Sequence, residues 1–453
     1  MDALIVIFIT GLLSLFISFA KKPLYVLLTA CIGLVTGAIL LLNQWDNPSM
    51  LFTNYKGLLF DNTAISYSLV AILFAFLAIL SGYNKFKENQ ENIGDYIALL
   101  LFSLVGAMCM VSFTDLFMFF LGLEILSIPI YVMAGTAKKD IRSSEASLKY
   151  FLTGAFATGI LLFGIAWLYG AVGSFDIQVI AHKINMTSEH SSLLYVGILL
   201  ILAAFLFKVG AAPFHFWSPD VYSGSPTVVT GYMAAVVKLG AFGAFIKLFS
   251  VCFPSLHEFW APAIVGLSVL TMFVGNLSAL TQITFKRLLA YSSITHVGYA
   301  LLTIISKDTN SQSNLLFYLF AYGFSVIALI TIAMLINDKE DKLDGFKGLA
   351  KRNPFLGFVS ILALLSLAGV PPLVGFFGKY LVFASAITDF PVLVVIAIIN
   401  SGIGIYYYLK TIMTIVSKED VSTEKVEVSS IQYLVLVICT IGLLVGGMLI
   451  SHI

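Results

Sequence analysis

The sequence predicts an all-α polytopic membrane protein of about fourteen transmembrane helices, and three observations carry that prediction. Hydrophobic residues make up 59% of the 453-residue chain and charged residues only 11%, against about 25% charged in soluble domains. Apolar runs close to the ~20 residues of a spanning helix recur along the whole length. Lys and Arg crowd into alternate connections, as they do when a chain passes back and forth through a bilayer.

In order, the runs lie near 3–20, 24–43, 65–83, 96–113, 115–134, 148–171, 192–226, 228–249, 259–280, 288–306, 314–336, 353–386, 391–409 and 431–450. The first is expected to be retained. A cleaved signal peptide carries its positive charge before the apolar run, whereas here Asp2 precedes it and Lys21 and Lys22 follow. Seventeen Lys and Arg, among them Lys21, Lys85, Lys138, Lys286, Lys339 and Lys410, fall after odd-numbered spans. Three, Lys56, Lys183 and Lys307, fall after even-numbered ones. The bias predicts that both termini face away from the cytoplasm. Short connections leave no room for a soluble domain. The chain reads as one membrane domain: helices one to three over 1–95, a first half over 96–250, a second over 258–410 and a closing helix over 431–453.

Spans seven and twelve are longer because they are discontinuous. AAPFHFWSPDVYSGSP and LAGVPPLVGFFGKYL put proline at mid-membrane depth, removing backbone donors and bending the helix. Backbone freed at that depth is tolerated where it is buried in protein or lines a wet cavity. Interrupted helices at matching places in two halves are the pattern of an inverted repeat, here spans four to eight and nine to thirteen.

With Lys247 near the end of span eight and Asp220 in the break of span seven set apart, five charges are placed within the bilayer: Glu124 in span five, Lys149 in six, Lys208 in seven, Lys238 in eight and Lys379 in twelve. Each costs about 2.5–3.5 kcal/mol at a helix centre, together on the order of 10–15 kcal/mol. They are therefore expected to face one another or water. Ser127 and Tyr131 follow Glu124 on one helical face, and Thr153 follows Lys149 by one turn. Ser292, His296, Tyr299 and Thr303 line one face of span ten. Such stripes can hold a chain of water. Glu124, the deep carboxylate, is the natural partner of Lys208. Burial and a nearby carboxylate act on a lysine's proton affinity in opposite senses, so a lysine between them can exchange its proton. Blander roles stay open: a fixed ion pair for Glu124 and Lys208, and snorkelling to the interface for Lys379, Lys149 and Lys247. Packing could account for His215 and His296, and a turn or cap for Asp220.

Other chemistry has no footing. Cys31, Cys109, Cys252 and Cys439 are far apart, without metal or redox spacing. No nucleotide-binding glycine motif appears, and a net charge of +1 gives no argument for nucleic acid.

DLFMFFLGLEILSIPIYVMAG, FKVGAAPFHFWSPDVYSGSPTVVTGYMAAVVKLGAFGAF, KRLLAYSSITHVGYALL and SLAGVPPLVGFFGKYLVF resemble the proton-translocating antiporter-like membrane subunits of respiratory complex I, NADH:quinone oxidoreductase, and within them the N type. The resemblance runs from about Asp115 to Tyr380, and a chain ending at Ile453 fits the L type less well. It implies a pair that modulates proton affinity, Glu124 and Lys208, a central relay at Lys238 and an exit-side lysine at Lys379. Lys149 matches an extra span-six lysine of the N type, and His215 and His296 fall at polar relay positions. It further implies neighbouring complex I subunits and no cofactor in this chain, with FMN, iron–sulfur clusters and quinone held by partners; the positive-inside loops favour a bacterial cell membrane over an organellar one. Two other classes compete: the D subunit of a multisubunit sodium/proton antiporter, and a scaffold that moves no ions.

Overall fold

The computed structural model describes residues 2–46, 49–51, 57–88, 93–186, 190–336, 341–418 and 425–448. Lys56 and Lys339 of the loop tally, and the end of the last predicted span, lie outside them. Among the described residues, twelve helices are long and apolar enough to cross a membrane. α1 and the broken pair in span twelve are shorter apolar helices, so every predicted run coincides with helix.

The chain divides into two compact units, Met1–Gly210 with Val236–Ile264, and Ala211–Ala235 with Val265–Ile453. The first holds α1 (Asp2–Ser18), α2 (Pro23–Asn43), β1 (Ser49–Leu51), β2 (Leu58–Phe60), α3 (Asn62–Glu88) and α4 (Ile93–Ser112). α5 (Leu116–Ala134), α6 (Ile141–Val172), α7 (Ile177–Met186), α8 (Ser192–Val209) and α11 (Lys238–Cys252) complete it. The second holds α9 (Trp217–Gly224), α10 (Thr227–Tyr232), α13 (Phe285–Ile305), α14 (Ser311–Ile336) and the short α15 (Leu349–Arg352). It also holds α16 (Pro354–Ala368), α17 (Val374–Ile387), α18 (Pro391–Val416) and α19 (Ser430–Val445). α12 (His257–Leu280) contributes to both, and a π turn, Met233–Val237, joins α10 to α11.

Local chemistry sets the ends. Asp115 and Asp140 cap α5 and α6 by accepting from backbone N–H groups of the first turn. Pro23, Pro354 and Pro391 open their helices, where a missing N–H costs nothing. The two interruptions share a grammar. α8 ends at Gly210 (φ +77°) and α16 at Gly369 (φ +84°), left-handed caps that glycine adopts without strain. Three residues later stand Pro213 and Pro372, each on a cis peptide bond.

Four local expectations change. The connection after span two carries an antiparallel pair, Ser49 opposite Phe60, whose three-residue strands are too short to leave a period in the sequence. Lys247 turns inward: its Nζ donates to Val111 O at 3.0 Å, neutralising the carbonyl end of α4, 5.4 Å from the Phe113 ring. Lys286, expected in a solvated loop, is buried in the first turn of α13, paired with Asp341 at 3.2 Å and donating to Ser225 O. Asp220, expected as a cap or turn residue, pairs with Arg287 at 2.7 Å and ties α9 to α13.

α4 and α5 pack closely because Gly106 faces backbone; a methyl group there would overlap Leu126. Ser103 Oγ donates to Leu126 O across the same contact at 2.8 Å. Gly106→Leu is expected to lower the thermal midpoint of the detergent-purified assembly, as overpacking of about 1–3 kcal/mol does. Gly159→Leu, which meets open space, should leave it in place. A fluorescence-detected thermal ramp compares the two.

Candidate functional site: buried lysines at helix interruptions

In the first unit α5 presents Glu124, Ser127 and Tyr131 at the spacings read from the sequence. Glu124 is half-buried and Ser127 fully buried. Lys208, in the last turn of α8, is 7% exposed. Its Nζ donates to Ser127 Oγ at 2.5 Å, and Ser127 in turn donates to Leu123 O. The ammonium lies 5.9 Å from the centroids of both Tyr131 and Tyr150, rings that meet edge to face at 4.7 Å. Such cation–π contacts are stronger away from water. Glu124 acts electrostatically on Lys208 and Tyr131. Among the described residues no direct ion pair joins Glu124 to Lys208; the serine hydroxyl takes the lysine's hydrogen bond. A small cavity beside Lys208 is lined by Leu123, Tyr131, Gly154, Thr158 and Phe207.

Lys238 is the first residue of α11, directly after the π turn, and 7% exposed. π turns often occur at functional positions, since the widened ring leaves one residue out of register.

In the second unit Lys379, on α17 and 6% exposed, reaches back across its own interruption. Its Nζ donates to Ala368 O, the last carbonyl of α16, and to Ser401 Oγ, both at 2.9 Å. It stands 5.3 Å from the Tyr299 ring. The cap glycine makes room for it, because a Cβ at Gly369 would come 2.9 Å from Lys379 Cδ. His296 is buried between tyrosines, Nδ1 2.6 Å from Tyr318 OH and Nε2 3.2 Å from Tyr408 OH. Ser292 meets the Tyr408 hydroxyl at 2.5 Å. A cavity beside His296 is lined by Tyr318, Tyr322, Ser325 and Ser366.

The structure thus gathers Glu124 with Lys208 within the first unit, and Lys379 with the Tyr299 and His296 stripe within the second. It does not gather Lys149. α6 starts earlier than predicted, at Ile141, bringing Glu145 into the helix one turn before Lys149. The two pair at 2.6 Å on a half-exposed face. Thr153 is exposed too, while Tyr150, Gly154 and Ala157 form the buried stripe. His215, buried against Phe216 in the turn before α9, has an Nδ1 without a hydrogen-bond partner among the described residues. Among the described residues, the Thr303 hydroxyl donates back to Ala300 O on its own helix.

Sequence reasoning passed over Tyr150, Tyr318, Tyr408, Asn400 and Ser401. The last two stand together in IAIINSGIG, a polar pair in an apolar run that the same search for stripes would have caught. The tyrosines carry no such mark, since the type is common in any core.

Lys149→Ala removes an exposed i,i+4 pair worth about 0.3–0.5 kcal/mol, so the thermal midpoint should hold. Gly369→Ala drives a methyl group into the Lys379 stem at a left-handed position, and its midpoint should fall by several degrees in the same ramp.

Comparisons with known proteins agree on one lineage. The family described as NADH:quinone oxidoreductase/Mrp antiporter, transmembrane, matches residues 114–404. NADH-quinone oxidoreductase subunit N of Cytophaga hutchinsonii is 43% identical over 93% of this chain and 92% of its own length. A chain of respiratory complex I from Thermus thermophilus superposes with a TM-score of 0.85 at 31% identity, covering 99% of this chain and 97% of that one. A chain of the Mrp complex from Dietzia shares the fold at a TM-score of 0.80 and 21% identity, over 92% and 81% of the two chains. On these grounds the chain belongs to the antiporter-like membrane subunits of NADH-quinone oxidoreductase, in the subunit N family.

Proposed function

We propose that this chain moves protons across the membrane as a membrane-arm subunit of NADH:quinone oxidoreductase, using its buried lysines as carriers. One observation carries the residue-level reading: Lys208, Lys238 and Lys379 are each more than nine-tenths buried, the first and last where a spanning helix is interrupted and Lys238 at a π turn within a continuous span. A buried ammonium on the carbonyl end of a half-helix gains from that end's dipole while charged. It loses the interaction when it gives up its proton. Glu124 adds a movable negative charge beside Lys208. Quinone reduction elsewhere in the complex shifts that pairing, and protons pass from Lys208 through Lys238 toward His296 and Lys379.

In this reading FMN, the iron–sulfur clusters, the NADH site and the quinone belong to partner subunits, and other antiporter-like subunits flank this one. The chain lies in a bacterial cell membrane with both termini on the non-cytoplasmic side, as the lysine and arginine bias supports. His215 and Lys149 stand outside the main line of transfer. A second reading, a D-type subunit of a sodium/proton antiporter, draws on the Dietzia likeness, which speaks for fold alone. The relatives at 37–43% identity named for subunit N favour the first.

Purification of the tagged chain in mild detergent is expected to bring flavin and iron–sulfur absorbance with it; a preparation with neither would leave the antiporter reading. Lys208→Ala, Lys238→Ala and Lys379→Ala should each suppress NADH-driven acidification of membrane vesicles at unchanged complex content. Ser127→Ala removes a charge-assisted hydrogen bond worth about 1.5–3 kcal/mol, and the acidification rate should fall by about an order of magnitude. Wild-type rates in the lysine variants would instead mark the chain as a scaffold.

A further inference from the structure

Asn276 on α12 and Asn400 on α18 are both fully buried. Asn276 Nδ2 donates to the Asn400 backbone carbonyl at 2.7 Å and to the Asn400 side-chain Oδ1. Its own Oδ1 accepts from Thr295 Oγ1 at 3.1 Å and Tyr407 OH at 2.8 Å. Asn400 Oδ1 accepts a further bond from Tyr299 OH at 3.4 Å. Every hydrogen-bonding position of Asn276 is filled, and that fixes the other amide. Turning Asn400 over would set one NH2 group against another. Its Nδ2 is therefore held away from Asn276, without a partner among the described residues.

The Asn276–Asn400 clamp joins two polar arms. On one side the adjacent Ser401 takes the Lys379 hydrogen bond, and Tyr299, bonded to Asn400, stacks its ring against the same ammonium. On the other, Tyr407, bonded to Asn276, packs against Tyr408 with ring centroids 4.4 Å apart, and Tyr408 meets His296 and Ser292. A side-chain amide neither gains nor loses a proton at ordinary pH, so it cannot itself carry one. It can orient a molecule that does, and buried donors in protein interiors are satisfied by ordered water.

We infer that Asn400, clamped by Asn276, is a positioning residue whose Nδ2 holds the water that passes protons between Lys379 and the His296–Tyr408 pair. The inference rests on the proton-transfer reading above and names the junction within it. It is tested in the intact complex with two substitutions of matched shape. Both Asn400→Val and Asn400→Thr lose the amide clamp, and only threonine keeps a hydroxyl that can hold water. Val is expected to slow NADH-driven vesicle acidification about fivefold, the kinetic equivalent of one lost hydrogen bond, while Thr keeps more than half the wild-type rate. Equal loss in both would reduce the pair to a structural pin, and a wild-type rate in Val would remove the residue from the path. Lys379→Ala runs alongside. If it too leaves acidification intact, the function reading fails; if it abolishes acidification while Val does not, only this inference falls. Should the Val variant not assemble, a high-resolution cryo-EM map of the wild-type complex decides. An ordered water within hydrogen-bond distance of Asn400 Nδ2 is expected, and an apolar side chain or lipid in that position would overturn the proposal.

Discussion

A helix that stops inside an apolar slab leaves carbonyl groups with nowhere to turn, and the functional architecture of this protein follows from that constraint. Each unsatisfied backbone group costs several kcal/mol in hydrocarbon, and so does each bare ammonium. Put together, the two liabilities offset one another. Lys379 Nζ sits on the last carbonyl of α16, Lys208 occupies the last turn of α8, and Lys247 covers the carbonyl end of α4. The same electrostatic logic serves two ends. At Lys247 it ties helices together; at the two interruptions it holds a charge that, on the proposed function, changes.

What surrounds each ammonium decides how readily it changes. Lys208 has a hydroxyl, two aromatic faces and a carboxylate within electrostatic reach. That is a soft environment, with one neutral oxygen to accept its bond. Lys379 has a carbonyl and a serine hydroxyl at equal distance and a single ring. Beyond it lies a network of asparagines and tyrosines in which most hydrogen-bonding positions are already filled. On the function proposed above, the first lysine would respond to the movement of a nearby charge and the second would hand a proton into a pre-ordered row of hydroxyls.

The fold was legible because its signal is additive: fourteen apolar runs and a lysine bias survive errors of a few residues at any boundary. The site was legible where a charge stood in an apolar run. Glu124, Lys208, Lys238 and Lys379 violate the solvent rule of the bilayer one by one, and Ser127 and Tyr131 follow from Glu124 by helical spacing alone. Lys149 misled for the same reason, since a charge near the end of a run looks deep until the true helix start is known. Seven further residues of α6 turned it to a half-exposed face and supplied Glu145. Asn400 stands out in its apolar run, but its pairing with Asn276 was out of reach because the two lie far apart in the chain. Neither has a charge to betray it, and no periodicity within one helix reports contact with another.

The π turn before Lys238 has a mechanical meaning. A helix turns by about 100° per residue, and a π turn holds one residue more than the regular ladder has room for. Were that surplus residue to slide past Lys238 toward the far end of α11, the lysine would revolve by roughly a quarter of a circle. The ladder would exchange one carbonyl acceptor for its neighbour without coming apart. Such a shift would turn the side chain within a helix that stays continuous over Thr227–Cys252.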